Sequence, residues 1–279
     1  MSPTEDYLTF ITSIPNLSPM ALLSLFFLAL MRLAPLVAIA PFLGAQMPGS
    51  TKIGFAIFLS LLILPHIILT TAHPPSFDMR FVGLSLKELF IGFILAFLAS
   101  IPFYIVQSAG TLIDFMRGSS ALMVADPTME NQTSPIGILY NHVTIFLFFQ
   151  IGGPFIFLDG VVQSYSLIPA DGILSPVSFN IDLPVWQTSL KLLNKFAALS
   201  IQLAAPALVG VLMAELFLGI ANRLAPQVQI SFLGMSIKSL LGVALLFAGW
   251  IFILQQVAKQ CLLWLRDLQM ALQGIALSG

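Results

Sequence analysis

Charge is scarce in this chain, so the groups that could do chemistry can be weighed one at a time. Of its 279 residues, 8% are Asp, Glu, Lys or Arg, and 58% are hydrophobic. Asp114, Asp126 and Glu130 fall within one short stretch, with Arg117 among them. A series of carboxylates in a membrane protein could relay protons. These acids lie between apolar runs, however, where a solvated face is the commoner reason for a carboxylate. Asp114 and Arg117 are three apart and could simply pair on one helical face. Arg32, Glu215 and Lys238 sit inside or beside apolar runs, where each charge costs about 2.5–3.5 kcal/mol at a bilayer centre. They must face protein or water. A transport pathway, an intersubunit ion pair and a structural pair such as Glu215 with Lys238 are all open, and for Arg32 and Lys238 the structural reading is favoured. Lys87-Glu88 reads as a helix entering the membrane interface, with no chemical role.

The remaining chemistry is thin. His66, His73 and His142 are far apart and have no metal-ligand spacing. Cys261 is the single cysteine, so no intrachain disulfide can form. There is no Walker loop, no GxSxG and no HExxH. The reading is of a protein that is not an enzyme and carries no cofactor and no metal. A net charge of -1 argues against a nucleic-acid partner. The start MSPTEDYL is acidic and shows no small-residue cleavage site, so no cleaved signal peptide is expected.

What must position these groups is a set of apolar helices. Soluble domains carry roughly 25% charged residues, and a chain this apolar needs a membrane or a large apolar assembly to cover it. Charge-poor runs fall at about Met20 to Ala45, Ile53 to Leu69, Leu89 to Ile113, Ile136 to Leu158, Phe196 to Ala214 and Ser239 to Ala258. About 20 apolar residues span a bilayer, and runs without period-two alternation mean helices rather than a barrel. The expected fold is therefore all-α, a polytopic membrane protein. Pro35, Pro41, Pro65, Pro102, Gly152-Gly153-Pro154 and Pro206 interrupt these runs. Together they predict bent, broken or re-entrant helices. Gly44 to Ser50 and Ala72 to Met79 read as a turn and a loop. Ser166 to Pro184 is the longest polar connection. It divides a four-segment part, residues 1–189, from a C-terminal helical hairpin, residues 190–279, turning around Arg223-Leu-Ala-Pro226-Gln227. On six spans, Arg80, Lys87, Lys191, Lys195, Lys259 and Arg266 share the side of the termini. Lys52, Arg117 and Arg223 face the other side. That small excess favours both termini in the cytoplasm.

An ordered series of residues carries a resemblance. Arg32-x-x-Pro35, Pro41, Pro48 and Lys52 open it, and Glu88-x-x-x-Gly92 follows. Next come Ala109-Gly110-x-x-x-Asp114-x-x-Arg117-Gly118, Asp126-Pro127, Ser134-Pro135, Gly152-Gly153, Ser164-Tyr165 and Pro169. Pro206, Glu215, Gly219, Arg223-x-x-Pro226-Gln227 and Lys238-Ser239 complete it. In this order, from about Met20 to Leu265, the series resembles the FliR/SctT family of type III secretion export apparatus subunits, with wording closer to the injectisome branch than to the flagellar one. The resemblance implies a multi-pass protein of the bacterial inner membrane, within the basal body of the secretion system. It implies assembly with P/R-type and Q/S-type subunits into an export gate that passes unfolded secreted proteins. It also implies work beside a secretion switch protein and an export gate protein. Residues 1–189 would be similar to the P/R-type subunit and residues 190–279 to the Q/S-type. The connection at 110–135 would be the plug of the closed channel.

The residues offer a physical case for that plug. Met116, Ala121, Leu122, Met123 and Val124 supply apolar bulk, and methionine adapts to irregular contacts. Gly118-Ser119-Ser120 lets the chain bend. An apolar constriction can block ions by excluding water. Met116, Arg117 and Gly118 through Val124 are thus the gating candidates. Arg32, Asp114, Glu215, Arg223 and Lys238 are the candidates for assembly or buried charge. A small-molecule secondary transporter, with broken helices around a midplane site, is the alternative, and a membrane scaffold that lines no pore is a third. An ordinary inter-helix loop is the plain reading of 110–135 when the resemblance is set aside.

Overall fold

The computed structural model describes the backbone of residues 18–44, 47–71, 73–118, 134–172, 184–224 and 230–276. Among these residues every regular element is a helix. In chain order they are α1 (Pro19–Ile39), a 3-10 turn (Pro41–Leu43), α2 (Gly49–Thr70), α3 (Met79–Met116), α4 (Pro135–Gln150), α5 (Gly153–Leu167), α6 (Pro184–Leu224), α7 (Ile230–Ala248) and α8 (Trp250–Ala276). Among the described residues, four helices are long and apolar enough to cross a membrane, or up to six if α4–α5 and α7–α8 each count as one broken span.

Local chemistry sets the helix ends. At α1 the Ser18 side chain accepts the Ala21 amide at 3.1 Å, and Pro19 occupies the first helical position. Both fit an N-terminus whose amides otherwise lack partners. At the other end Ala40 is extended before Pro41, and Gly44 closes the 3-10 turn at φ +108°. Ser134 repeats the first arrangement for α4, accepting the Gly137 amide ahead of Pro135.

The prolines and glycines divide the labour differently from the sequence expectation. Pro35, Pro65, Pro102 and Pro206 all lie within continuous helices. A proline removes one helical hydrogen bond, and in a packed, apolar helix the bonds on either side persist. Pro41, by contrast, does end a helical run, and the 3-10 turn starts at it; two further breaks fall at glycine. Gly152 takes φ +72° between α4 and α5, and α7 turns into α8 through 64° beside Gly249. Gly153 also has no room for a side chain, since a Cβ there would lie 2.4 Å from the Phe148 ring. The Gly152 break was expected from Gly152-Gly153-Pro154; the one at Gly249 was not.

Two helices outrun the bilayer. α3 has 38 residues and α6 has 41, about 57 Å and 62 Å at 1.5 Å per residue, against about 30 Å of hydrocarbon. The apolar run from Leu89 to Ile113 is therefore only the later part of α3, and Lys87-Glu88 lies well inside the helix rather than at its entry.

The chain forms two compact units. The first holds the described residues of Met1–Ser100, Phe157–Trp186 and Ala271–Gly279. In it α1 packs on α2. α1 buries Leu25, Leu28, Ala29, Arg32, Leu33, Leu36 and Val37, a stripe at helical spacing with one charge in its middle. α2 buries a matching stripe from Ala56 to Ile68. The second unit holds Ile101–Ile156 and the described residues of Gln187–Met270. Its core includes Phe103 edge-on to Phe148, with Trp264 beyond, and Ser200 of α6 donating to the Ile105 carbonyl.

One contact in the first unit is very close. A Cβ on Gly92 of α3 would sit 2.1 Å from the Arg32 carbonyl oxygen of α1, whereas Gly83 on the same helix faces open space. Gly92→Ala should therefore destabilise the protein by about 1–3 kcal/mol or more. Gly83→Ala should be neutral or slightly stabilising, as expected for an exposed helical glycine. Thermal unfolding of the purified variants separates the two.

Candidate functional site

Three polar clusters stand out against the apolar background. The largest is buried in the first unit and is built from α1, α3 and the end of α5. Arg32 and Glu88 are both fully buried. Arg32 donates through Nε to one Glu88 carboxylate oxygen and through Nη2 to the other, the latter at 2.9 Å. This fork-on-fork geometry is the strong form of an ion pair. The remaining guanidinium donors reach Ser164 Oγ at 3.0 Å and the Ile168 carbonyl at 2.9 Å. The Tyr165 ring lies against the guanidinium, 3.8 Å from its carbon to the ring centroid, where a cation meets the negative face of the ring.

Lys87, also buried, completes the cluster. Its ammonium lies 2.8 Å from Glu88 Oε1 and donates to the carbonyls of Pro169 (2.7 Å), Gly172 (2.8 Å) and Ala170 (3.3 Å). Two cations thus meet one carboxylate. The excess positive charge is met by carbonyls just past the C-terminus of α5, the negative end of a helix. Exposure of Lys87-Glu88 at an interface, as the sequence suggested, is incorrect. The pair is interior because Gly92, one turn after Glu88, lets α1 approach until Arg32 reaches across. A glycine four residues after an acid, in a helix otherwise filled with bulky side chains, was the signal available in the sequence.

The second cluster lies in the second unit, where α3 ends and α4 begins. Asp114 is 2% exposed. Its Oδ1 faces Arg117 Nε at 2.8 Å and Nη2 at 2.7 Å. Its Oδ2 accepts the Ser134 hydroxyl at 2.5 Å and the Ile136 amide at 2.8 Å. The carboxylate is thus engaged by cation, hydroxyl and backbone together, which is the geometry of a fixed anion. Met116 ends α3, half-buried, and Gly118 follows with φ +90°. Ser119, Ser120, Ala121, Leu122, Met123 and Val124 lie outside the described residues, as do Asp126 and Glu130.

The third cluster is the pair of Lys238 on α7 and Glu215 on α6, 2.6 Å apart. It is open: the Glu215 side chain is 52% exposed and Lys238 21%. Around Glu215, Leu212, Met213, Leu216 and Phe217 are also exposed. Arg223 is exposed too, in the last turn of α6, where a cation suits the helix C-terminus. Among the described residues no group of three or more His, Cys, Asp or Glu could hold a metal ion.

The two buried clusters make different demands on substitution. Glu88→Gln would leave two buried cations without their carboxylate, a loss of about 3–5 kcal/mol by analogy with breaking other buried pairs. Tyr165→Phe keeps the ring over Arg32 and removes only a hydroxyl that has no hydrogen-bond partner among the described residues, so it should be close to neutral. Protein yield and thermal stability in detergent should fall sharply for the first variant and stay unchanged for the second.

Comparison with known proteins places this arrangement among export components. Residues 23–263 match the family described as Bacterial export proteins, family 1. The chain is 30% identical over 242 residues to Yop proteins translocation protein T of Yersinia pestis, covering 85% of this chain and 89% of that protein. It is 29% identical over 216 residues to the surface presentation of antigens protein SpaR of Salmonella typhimurium, 77% and 78% of the two chains. It is 27% identical over 216 residues to the flagellar biosynthetic protein FliR of Bacillus subtilis, 76% and 81% of the two chains.

Proposed function

Because this chain belongs to the Bacterial export proteins of family 1, the FliR/SctT family of type III export apparatus components, we propose that it is a non-enzymatic, pore-forming subunit of an export gate that passes unfolded polypeptides. It is a multi-pass protein of the bacterial inner membrane within the secretion basal body. The observation that carries the proposal is the extent of the family match, which runs from α1 to α8 and so covers both the four-segment part and the hairpin. The injectisome is the favoured setting, supported by the relatives from Yersinia and Salmonella.

In this reading the gate is a hetero-oligomer with P/R-type and Q/S-type subunits, next to a secretion switch protein and an export gate protein. Residues 1–189 take the place of a P/R-type subunit and residues 190–279 that of a Q/S-type subunit. The exposed Glu215–Lys238 pair supports a protein neighbour for α6, because charge facing hydrocarbon costs about 2.5–3.5 kcal/mol per group. The stretch Met116 to Val124 acts as the plug, with adaptable apolar side chains that close the channel and yield to a passing chain.

Deleting Gly118–Val124 should raise ion conductance through the assembled, closed gate. Conductance equal to wild type would remove the plug from the mechanism. Glu215→Ala should lower the recovery of the complex with its partner subunits while leaving the conductance of the complexes that do form unchanged. Normal recovery would show that α6 is not an assembly surface.

A further inference from the structure

We infer that the Asp114 carboxylate clamps together the two ends of the α3–α4 connection, making it a positioning residue for the closure proposed above. The inference rests on that reading. Asp114 gathers donors from both ends at once. Arg117 comes from the α3 side, and the Ser134 hydroxyl and Ile136 amide come from the start of α4. Ser134 is itself held, since its hydroxyl oxygen accepts the Gly137 amide at 2.9 Å while its proton goes to Asp114. A continuous hydrogen-bonded path therefore runs from the first turn of α4 into the last turn of α3.

Two packing features make this a clamp rather than a chance contact. A Cβ on Gly110 would lie 2.6 Å from both the amide nitrogen and the Cα of Gly137. The helix backbones touch there, one turn before Asp114. On the other side, the stem of Arg117 lies 3.4–3.5 Å from where a Cβ on Gly242 of α7 would stand. The aliphatic part of the cation that holds the carboxylate thus runs past Gly242 at a spacing that leaves room for a methyl group.

The chemistry requires a carboxylate. Every partner named here is a donor, and an ionised carboxylate accepts on both oxygens. An asparagine would turn its amide nitrogen towards either Arg117 or the Ser134–Ile136 pair. In both orientations a donor would meet a donor. Serving as anchor for four donor contacts also explains a buried acid here without invoking a proton relay.

The test uses the gate assembled with its partner subunits, in wild-type form and with Asp114→Asn, Ser134→Ala or deletion of Gly118–Val124. Closed-state ion flux and amide hydrogen exchange at the start of α4 are measured at matched complex yield. Asp114→Asn should raise the flux several-fold, towards the level of the deletion, with Ser134→Ala between it and wild type. Exchange at Ile136 and Gly137 should speed up by about tenfold or more in Asp114→Asn, the loss expected for a charge-assisted bond. Wild-type flux in Asp114→Asn, with a leaking deletion, overturns the clamp and leaves the plug standing. A deletion that does not leak overturns the plug and the clamp with it. Should Asp114→Asn fail to assemble, wild-type flux and exchange in Ser134→Ala overturn the clamp.

Discussion

The buried Arg32–Glu88 pair is the interaction on which the first unit depends. In an interior without water, an isolated guanidinium or carboxylate is far more costly than any single apolar contact is favourable. Each must therefore be met by the other, in one geometry. That requirement fixes the register of α1 against α3, because Arg32 has only one Glu88 to reach. It fixes the end of α5 as well, since Ser164, Tyr165 and Ile168 complete the shell of Arg32 and the next carbonyls receive Lys87. Apolar side chains of α1, α2 and α3 are buried beside these charges. Leucine and isoleucine would tolerate several sliding registers, whereas the charges tolerate one.

Glycine does the complementary work. At Gly92 and again at Gly110–Gly137, the absence of a side chain lets two backbones meet. In each case a charged residue lies one turn away and makes a bond that the close approach permits. Glu88 precedes Gly92 by four residues and Asp114 follows Gly110 by four. On a helix that spacing puts the small residue and the acid on one face. α3 thus carries the same device twice, once in each compact unit: a glycine that admits the neighbour and a carboxylate that holds it.

The hairpin helices are organised differently. On α6 and α7 the charged pair is open, and large apolar side chains such as Phe217, Leu240 and Phe247 are exposed on the same two helices. Lipid can cover the apolar part of such a face, whereas charge facing hydrocarbon is costly. Charge is thus sealed in the first unit and open on the hairpin.

Much of this could be read from residue order. Low charge and long apolar runs determined an all-helical membrane protein, since a backbone in hydrocarbon must bond to itself. The ordered series from Arg32 to Lys238 determined the family, and Gly152-Gly153-Pro154 marked one helix break. Helix spacing made an Asp114–Arg117 pair available, because i and i+3 are neighbours on any helix. Other features were decided only in three dimensions. Whether Pro102 breaks α3 depends on the packing of its flanks, which local propensity does not contain. That Lys87-Glu88 is core rather than interface depends on Arg32, 56 positions away from Glu88. That Ser134 and Ile136 close on Asp114 depends on where α4 begins relative to the end of α3. In each case the deciding partner is distant in sequence, and a buried charge shows its meaning only once that partner is in place.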